Sequence, residues 1–192
     1  MVDYQPNLVL STKEFKVVGS RPIRHDGAEK VTGRAQYGAD IQLPGLLFGK
    51  ILRSPHAHAN IRGIDPTRAK ALEGVVAVFT GEELKDQLGS LPVGWPVPNT
   101  REVPHPPLAF GTVRYVGDAV AAVVATDAAT ASDAAELVEV EYEELRPVIN
   151  MEEAVKDGAP QLHEDAPNNI AFEWEVGGGD VEEAEKNAEV VV

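Results

Sequence analysis

The sequence contains no cysteine. Disulfides, thiolate nucleophiles, iron–sulfur ligation and Cys-type zinc sites are therefore excluded within this stretch. Long hydrophobic runs are missing too. The longest unbroken apolar segment is Ala119–Ala125, far short of the roughly 20 residues a membrane helix needs. The polar start Met1-Val2-Asp3-Tyr4-Gln5-Pro6 resembles neither a signal peptide nor a twin-arginine address. Nothing argues for export, and a cytoplasmic location is expected. Basic residues become scarce beyond Pro96: residues 1–96 carry 12 Lys+Arg against 10 Asp+Glu, residues 97–192 only 5 against 21. Such an acidic half repels phosphate backbones, so nucleic acid is not an expected partner. It reads as a solvated face, or as a docking surface for a basic partner subunit.

What is present suffices for a core. Hydrophobic residues make up 43% of 192 positions, enough for one domain or one and a fraction. Leu8-Val9-Leu10 is a short apolar patch in a polar lead. Residues 26–33, rich in glycine and charge, read as turns. A strand is expected over 46–52, opened by the turn Leu43-Pro44-Gly45, and another over 60–64. Asp65-Pro66 predicts a short helix over 67–72, ended by Gly74. A buried-type strand follows over 75–79. Thr80 and Glu83 then have capping-box spacing for a helix to about Gln87.

Prolines at 92, 96, 98, 104, 106 and 107 make 89–108 a long loop. Residues 113–125 are mostly apolar, with a turn or bulge at Gly117-Asp118. Thr126-Asp127 can cap an alanine-rich helix over 128–137. Val138, Val140 and Tyr142 alternate with glutamates, giving a half-buried strand with an acidic outer face. Asn150 and Glu153 predict a short helix ended by Gly158. Residues 170–176 alternate as a strand would, Gly177-Gly178-Gly179 is a flexible turn, and Asp180 caps a helix over 181–187. The β-branched end, 189–192, reads as a strand cut short, so the chain is expected to be a piece of something longer. Two crossovers, 61–79 and 120–142, place a helix between strands and close either parallel or split pairs. The expected class is α+β.

Chemistry is thin. His56-Ala57-His58 places two rings on one face if the segment is extended. A zinc site wants three or four ligands, and no H-E-x-x-H pattern supplies them. The bland alternative is a histidine loop held by hydrogen bonds beside Arg53 and Ser54. Residues 27–32 lack phosphate-loop spacing, and no G-x-S-x-G elbow occurs. His25, His105 and His163 have no recognisable partners in sequence. No catalytic, cofactor-binding or metal-ligating residue is assigned.

One stretch carries more. Leu43-Pro44-Gly45-Leu46-Leu47-Phe48-Gly49-Lys50-Ile51-Leu52-Arg53-Ser54-Pro55-His56-Ala57-His58-Ala59-Asn60-Ile61 resembles the opening of the molybdenum-bearing large subunit in the aldehyde oxidase/xanthine dehydrogenase/aerobic carbon monoxide dehydrogenase family. Residues 26–37, 75–84, 116–121 and 138–148 are similar to further segments of it, and 179–192 to the passage into its next domain. The resemblance covers about 17–192. It implies an α/β hammerhead fold over 17–147, with an arm over 1–16 and, over 148–192, a linker and the truncated start of a molybdopterin-binding domain. It implies no cofactor in this piece, molybdopterin in the parent, and iron–sulfur clusters and FAD on partner domains or subunits. The implied parent reaction is hydroxylation with water as oxygen source, on carbon monoxide, an aldehyde, a purine or a heteroaromatic compound. The implied partners are the remainder of the molybdenum subunit and the iron–sulfur and flavin subunits; the piece is inactive alone. Two rival readings stand beside this one. One is a non-enzymatic module docking a partner through its acidic half; the other is a small metal-binding protein using His56 and His58.

Overall fold

The turn at Pro44-Gly45 marks the division between two units, Met1–Pro44 and Gly45–Val192. The computed structural model describes residues 16–191 except Pro96. The patch Leu8-Val9-Leu10 and the final Val192 lie outside the described residues.

In the first unit the segment expected as turns contains one helical stretch, α1 (Gly27–Val31). Asp26 sets its start through ion pairs with Arg24 (2.6 Å) and Lys30 (2.9 Å). These cations, Arg24 foremost, hold the Asp26 carboxyl below its ordinary value. Thr32 Oγ1 donates to the Ala28 carbonyl (2.6 Å) and closes the last turn. A single 3₁₀ turn follows at Gly38–Asp40, where the Asp40 carboxylate accepts the Tyr37 backbone N–H (2.8 Å).

The second unit is built on six strands: β1 (Phe48–Arg53), β2 (Ala59–Asp65), β3 (Val75–Thr80), β4 (Thr112–Val113), β5 (Ala119–Ala125) and β6 (Glu139–Glu144). They form two antiparallel three-stranded sheets, ordered β1-β5-β3 and β4-β2-β6. Both crossovers leave one sheet and enter the other, so they close neither a parallel nor a split pair, contrary to the expectation from sequence. No parallel pair occurs among the described residues. The apolar stretch 113–125 is divided at Gly117-Asp118, which places β4 and β5 in different sheets.

Composition explains the placement. β5 is nearly all Val and Ala, as suits a central strand, with Val120, Ala121, Val123 and Ala125 all 0% exposed. β6 keeps Val140 and Tyr142 half-buried and its glutamates outside. Between strands lie α2 (Thr67–Lys70), α3 (Gly81–Leu84) and α4 (Ala128–Glu136). The Asp65 carboxylate accepts the Thr67 N–H (2.9 Å), although the residue flanking α2 is Pro66. Thr80 and Glu83 make the expected capping box, and Asp127 accepts from the Thr130 N–H (2.9 Å) at the start of α4. Ala134 and Ala135 of α4 pack with Val78, Ala121 and Val123 in the main core. A second cluster joins Ala59, Ala109, Val113 and Val120.

Beyond the sheets come α5 (Met151–Ala154), a 3₁₀ turn at Pro167–Asn169 and α6 (Val181–Asn187), with α5 and α6 capped by Asn150 and Asp180 as the sequence predicts. Three further expectations fail. Leu46 and Leu47 precede β1 rather than joining it. Residues 170–176 form no strand. One backbone bond from a distant segment, Arg101 N–H to the Ala171 carbonyl (2.8 Å), reaches them, and no strand lies alongside, so Phe172, Trp174 and Val176 stay exposed. Residues 189–191 likewise have no ladder, and Val190 and Val191 are exposed. Alternation makes a strand only where a neighbour takes up its N–H and C=O groups.

Candidate functional site

The His56-Ala57-His58 segment links β1 to β2 and bends instead of extending. Its two rings therefore take separate partners. His58 is 8% exposed and its Nδ1 lies 2.9 Å from the Arg146 carbonyl. The His58 carbonyl accepts the Leu145 N–H at 2.9 Å. The His56 ring leans on Tyr142, with centroids 4.8 Å apart, and its Nδ1 sits 3.7 Å from a Glu144 carboxylate oxygen. The Ser54 hydroxyl donates to the His56 carbonyl and accepts the His56 N–H, both at 3.0 Å. Both histidines thus pin the β1–β2 link to the end of β6. Burial raises the Tyr142 phenol, with the Asp118 charge adding to it and a hydrogen bond to Ser54 opposing it.

The proline-rich loop builds the other candidate. Its neck is closed by Leu91 N–H to the His105 carbonyl (2.8 Å) and by His105 N–H to Ser90 Oγ (2.6 Å). Proline supplies no backbone donor, so the loop forms no regular element and instead walls a cavity of about 330 Å³. His105, Arg114, Tyr115, Asp118 and His163 bring polar groups to it. His105 Nε2 and the Tyr115 hydroxyl are 3.1 Å apart. Arg114 Nε donates to the Leu162 carbonyl (2.7 Å). The buried Asp118 carboxylate accepts the Arg114 backbone N–H (3.1 Å).

Burial raises the Tyr115 phenol, helped by the charge of Asp118 and opposed by Arg53. Burial also lowers the His163 imidazole, reinforced by Arg114 and His105. Both shifts favour the neutral forms. His105 and His163, which showed no partner in sequence, are brought together here; His25 lies in the other unit and takes no part. The sequence signals were the lone histidines and the proline density, but the contacts span 91–163.

The donor set does not fit a molybdenum–pterin cofactor. Among the described residues no three of His, Cys, Asp or Glu converge on a point that could hold a metal. The one guanidinium lining the cavity is bonded to Leu162, and the Asp118 carboxylate shares that lining, which opposes a phosphate tail. No buried side-chain nitrogen or oxygen among the described residues is left without a partner. The acidic face of β6 is partly spent inside the chain, since Glu139 pairs with Arg68 (2.8 Å) and Glu143 with Arg62. No helix among the described residues is long and apolar enough to cross a membrane.

Comparison with known proteins adds context. The profile described as "Aldehyde oxidase and xanthine dehydrogenase, a/b hammerhead domain" matches residues 32–146. The chain is 41% identical over 169 residues to a probable xanthine dehydrogenase component of Bacillus subtilis (strain 168), covering 88% of this chain and 21% of that protein. It is 32% identical over 182 residues to the nicotinate dehydrogenase large molybdopterin subunit of Eubacterium barkeri, covering 94% and 40%. The crystal structure of a Cu,Mo-CO dehydrogenase superposes with a TM-score of 0.72 at 36% identity, over 90% of this chain and 23% of that one. The chain thus spans about a fifth of the first of these relatives.

Proposed function

The chain belongs to the aldehyde oxidase and xanthine dehydrogenase family and carries its α/β hammerhead domain, and from this membership we infer that it is the N-terminal part of a molybdenum hydroxylase large subunit. Its role there is structural. The observation that carries the reading is coverage: nearly all of this chain matches a fifth of a relative's length. Within it, 17–147 is the hammerhead and 148–192 a linker leading into a molybdopterin-binding domain. The cofactor is held by other parts of the polypeptide, a placement supported by the share of the relatives' length that lies outside the matched part. Iron–sulfur and flavin groups sit on partner domains or subunits, and the assembly works in the cytoplasm.

In this reading the chain contributes a frame rather than a reacting group. His58, Leu145 and Arg146 lock the β1–β2 link, and Arg101 ties the proline-rich loop to the Pro167 (3.2 Å) and Ile170 (2.6 Å) carbonyls. An antibody raised against this chain tests it, applied to extract of the native cells and followed by metal analysis of the captured protein. We expect a band several times longer than this chain that holds molybdenum. A 20.6 kDa band without molybdenum overturns the reading.

A further inference from the structure

Sheet β1-β5-β3 has two faces, and one of them is open. On the first face Leu52, Val78, Ala121 and Val123 are covered by α4 and its neighbours. On the second, register aligns Gly49 with Val124 and Ala77, and Ile51 with Ala122 and Phe79. Neither row carries a polar side chain. Ile51 is 38% and Phe79 40% exposed, while Ala77, Ala122 and Val124 are half-buried. Two residues earlier on the same face Val120 is fully buried, in a cluster with Ala109 and Val113. The same apolar surface therefore begins under cover and continues in the open.

We propose that this open face is the docking surface for the remaining polypeptide of the large subunit, which lays an apolar segment across the two rows. The proposal rests on the reading of the chain as part of such a subunit. A sheet face of this composition must be buried against another layer. The relatives supply the material, since most of their length lies beyond the part this chain matches. A second copy is the poorer occupant, because it brings the same net charge of −14 against itself. The small residues Gly49, Ala77 and Ala122 let a partner backbone approach closely.

The absence of cysteine makes the test direct. Ile51→Cys and the near-isosteric Val124→Cys are each made in the 192-residue chain and in the full-length large subunit. Thiol modification of the peptide bearing the new cysteine is followed by mass spectrometry. We expect modification in the subunit to be slower by about tenfold or more, because a covered thiol reacts only when the contact opens. Equal rates in both proteins overturn the proposal, as does a 192-residue chain that dimerises and protects both thiols by itself. The two failures are distinguishable: a native product of only 20.6 kDa removes the subunit reading, whereas a long subunit with freely reacting thiols removes only the docking face.

Discussion

Gly81 stands where no side chain fits. A Cβ there would lie 2.2 Å from the Ala109 carbonyl oxygen and 2.8 Å from that of Leu108. The obstruction cannot yield, because the Ala109 N–H is bonded to the Ala119 carbonyl at 2.6 Å. Gly81→Ala is therefore expected to cost about 1–3 kcal/mol or more by overpacking, read as a lower urea midpoint with an unchanged slope. His163 offers a pH-dependent counterpart. Burial, then the Arg114 and His105 charges, lower its pKa from the ordinary 6.5. The unfolded chain then binds the proton more readily than the folded one. The stability this imidazole contributes is full above pH 6.5 and is lost as pH falls through the lowered folded value. His163→Gln should flatten the dependence of the thermal midpoint on pH just below 6.5; an unaltered slope counts against the assignment.

α4 shows what small residues do for an element. Ala131, Ala134 and Ala135 are 0–5% exposed, and the last two lie in the core with β5. A longer side chain has nowhere to go, so Ala134→Leu should destabilise by about 1–3 kcal/mol. Ala129→Leu on the exposed side should change stability by no more than about 0.5 kcal/mol. Chemical denaturation of the two variants checks the contrast. This helix was readable beforehand because Asp127 and the alanine run announce it locally. The same holds for the Thr80–Glu83 box and for the helix behind Asp180. Strand 170–176 misled because alternation describes one chain, while a strand needs a second. The cavity was unreadable for a related reason: His105 and Tyr115 are ten residues apart, His163 is remote from both, and no periodicity joins them. The His56/His58 pair was visible in sequence, but its geometry depended on whether the segment was extended or bent.

The charge division acquires a physical meaning once the sheets are in place. Carboxylates of the second half lie along the exterior of β6 and the first turns of α5 and α6, and those of β6 nearest a cation are already paired. The face left apolar belongs instead to the first sheet. Solvated carboxylates on β6 and an uncovered apolar face on the β1-β5-β3 sheet are thus two distinct surfaces of this unit. Redox turnover needs a group that accepts electrons. This sequence has no thiol, and its described residues bring no three donors together for a metal. Under the proposed structural role the purified 192-residue chain is expected to give no dye reduction above the blank with aldehydes, purines or carbon monoxide, at any pH where it stays folded. Under the same proposal the full-length subunit, assembled with its redox partners, should reduce the dye with at least one substrate of these classes. Turnover by the 192-residue chain alone would place a redox centre within these residues and contradict the assignment of a purely structural role.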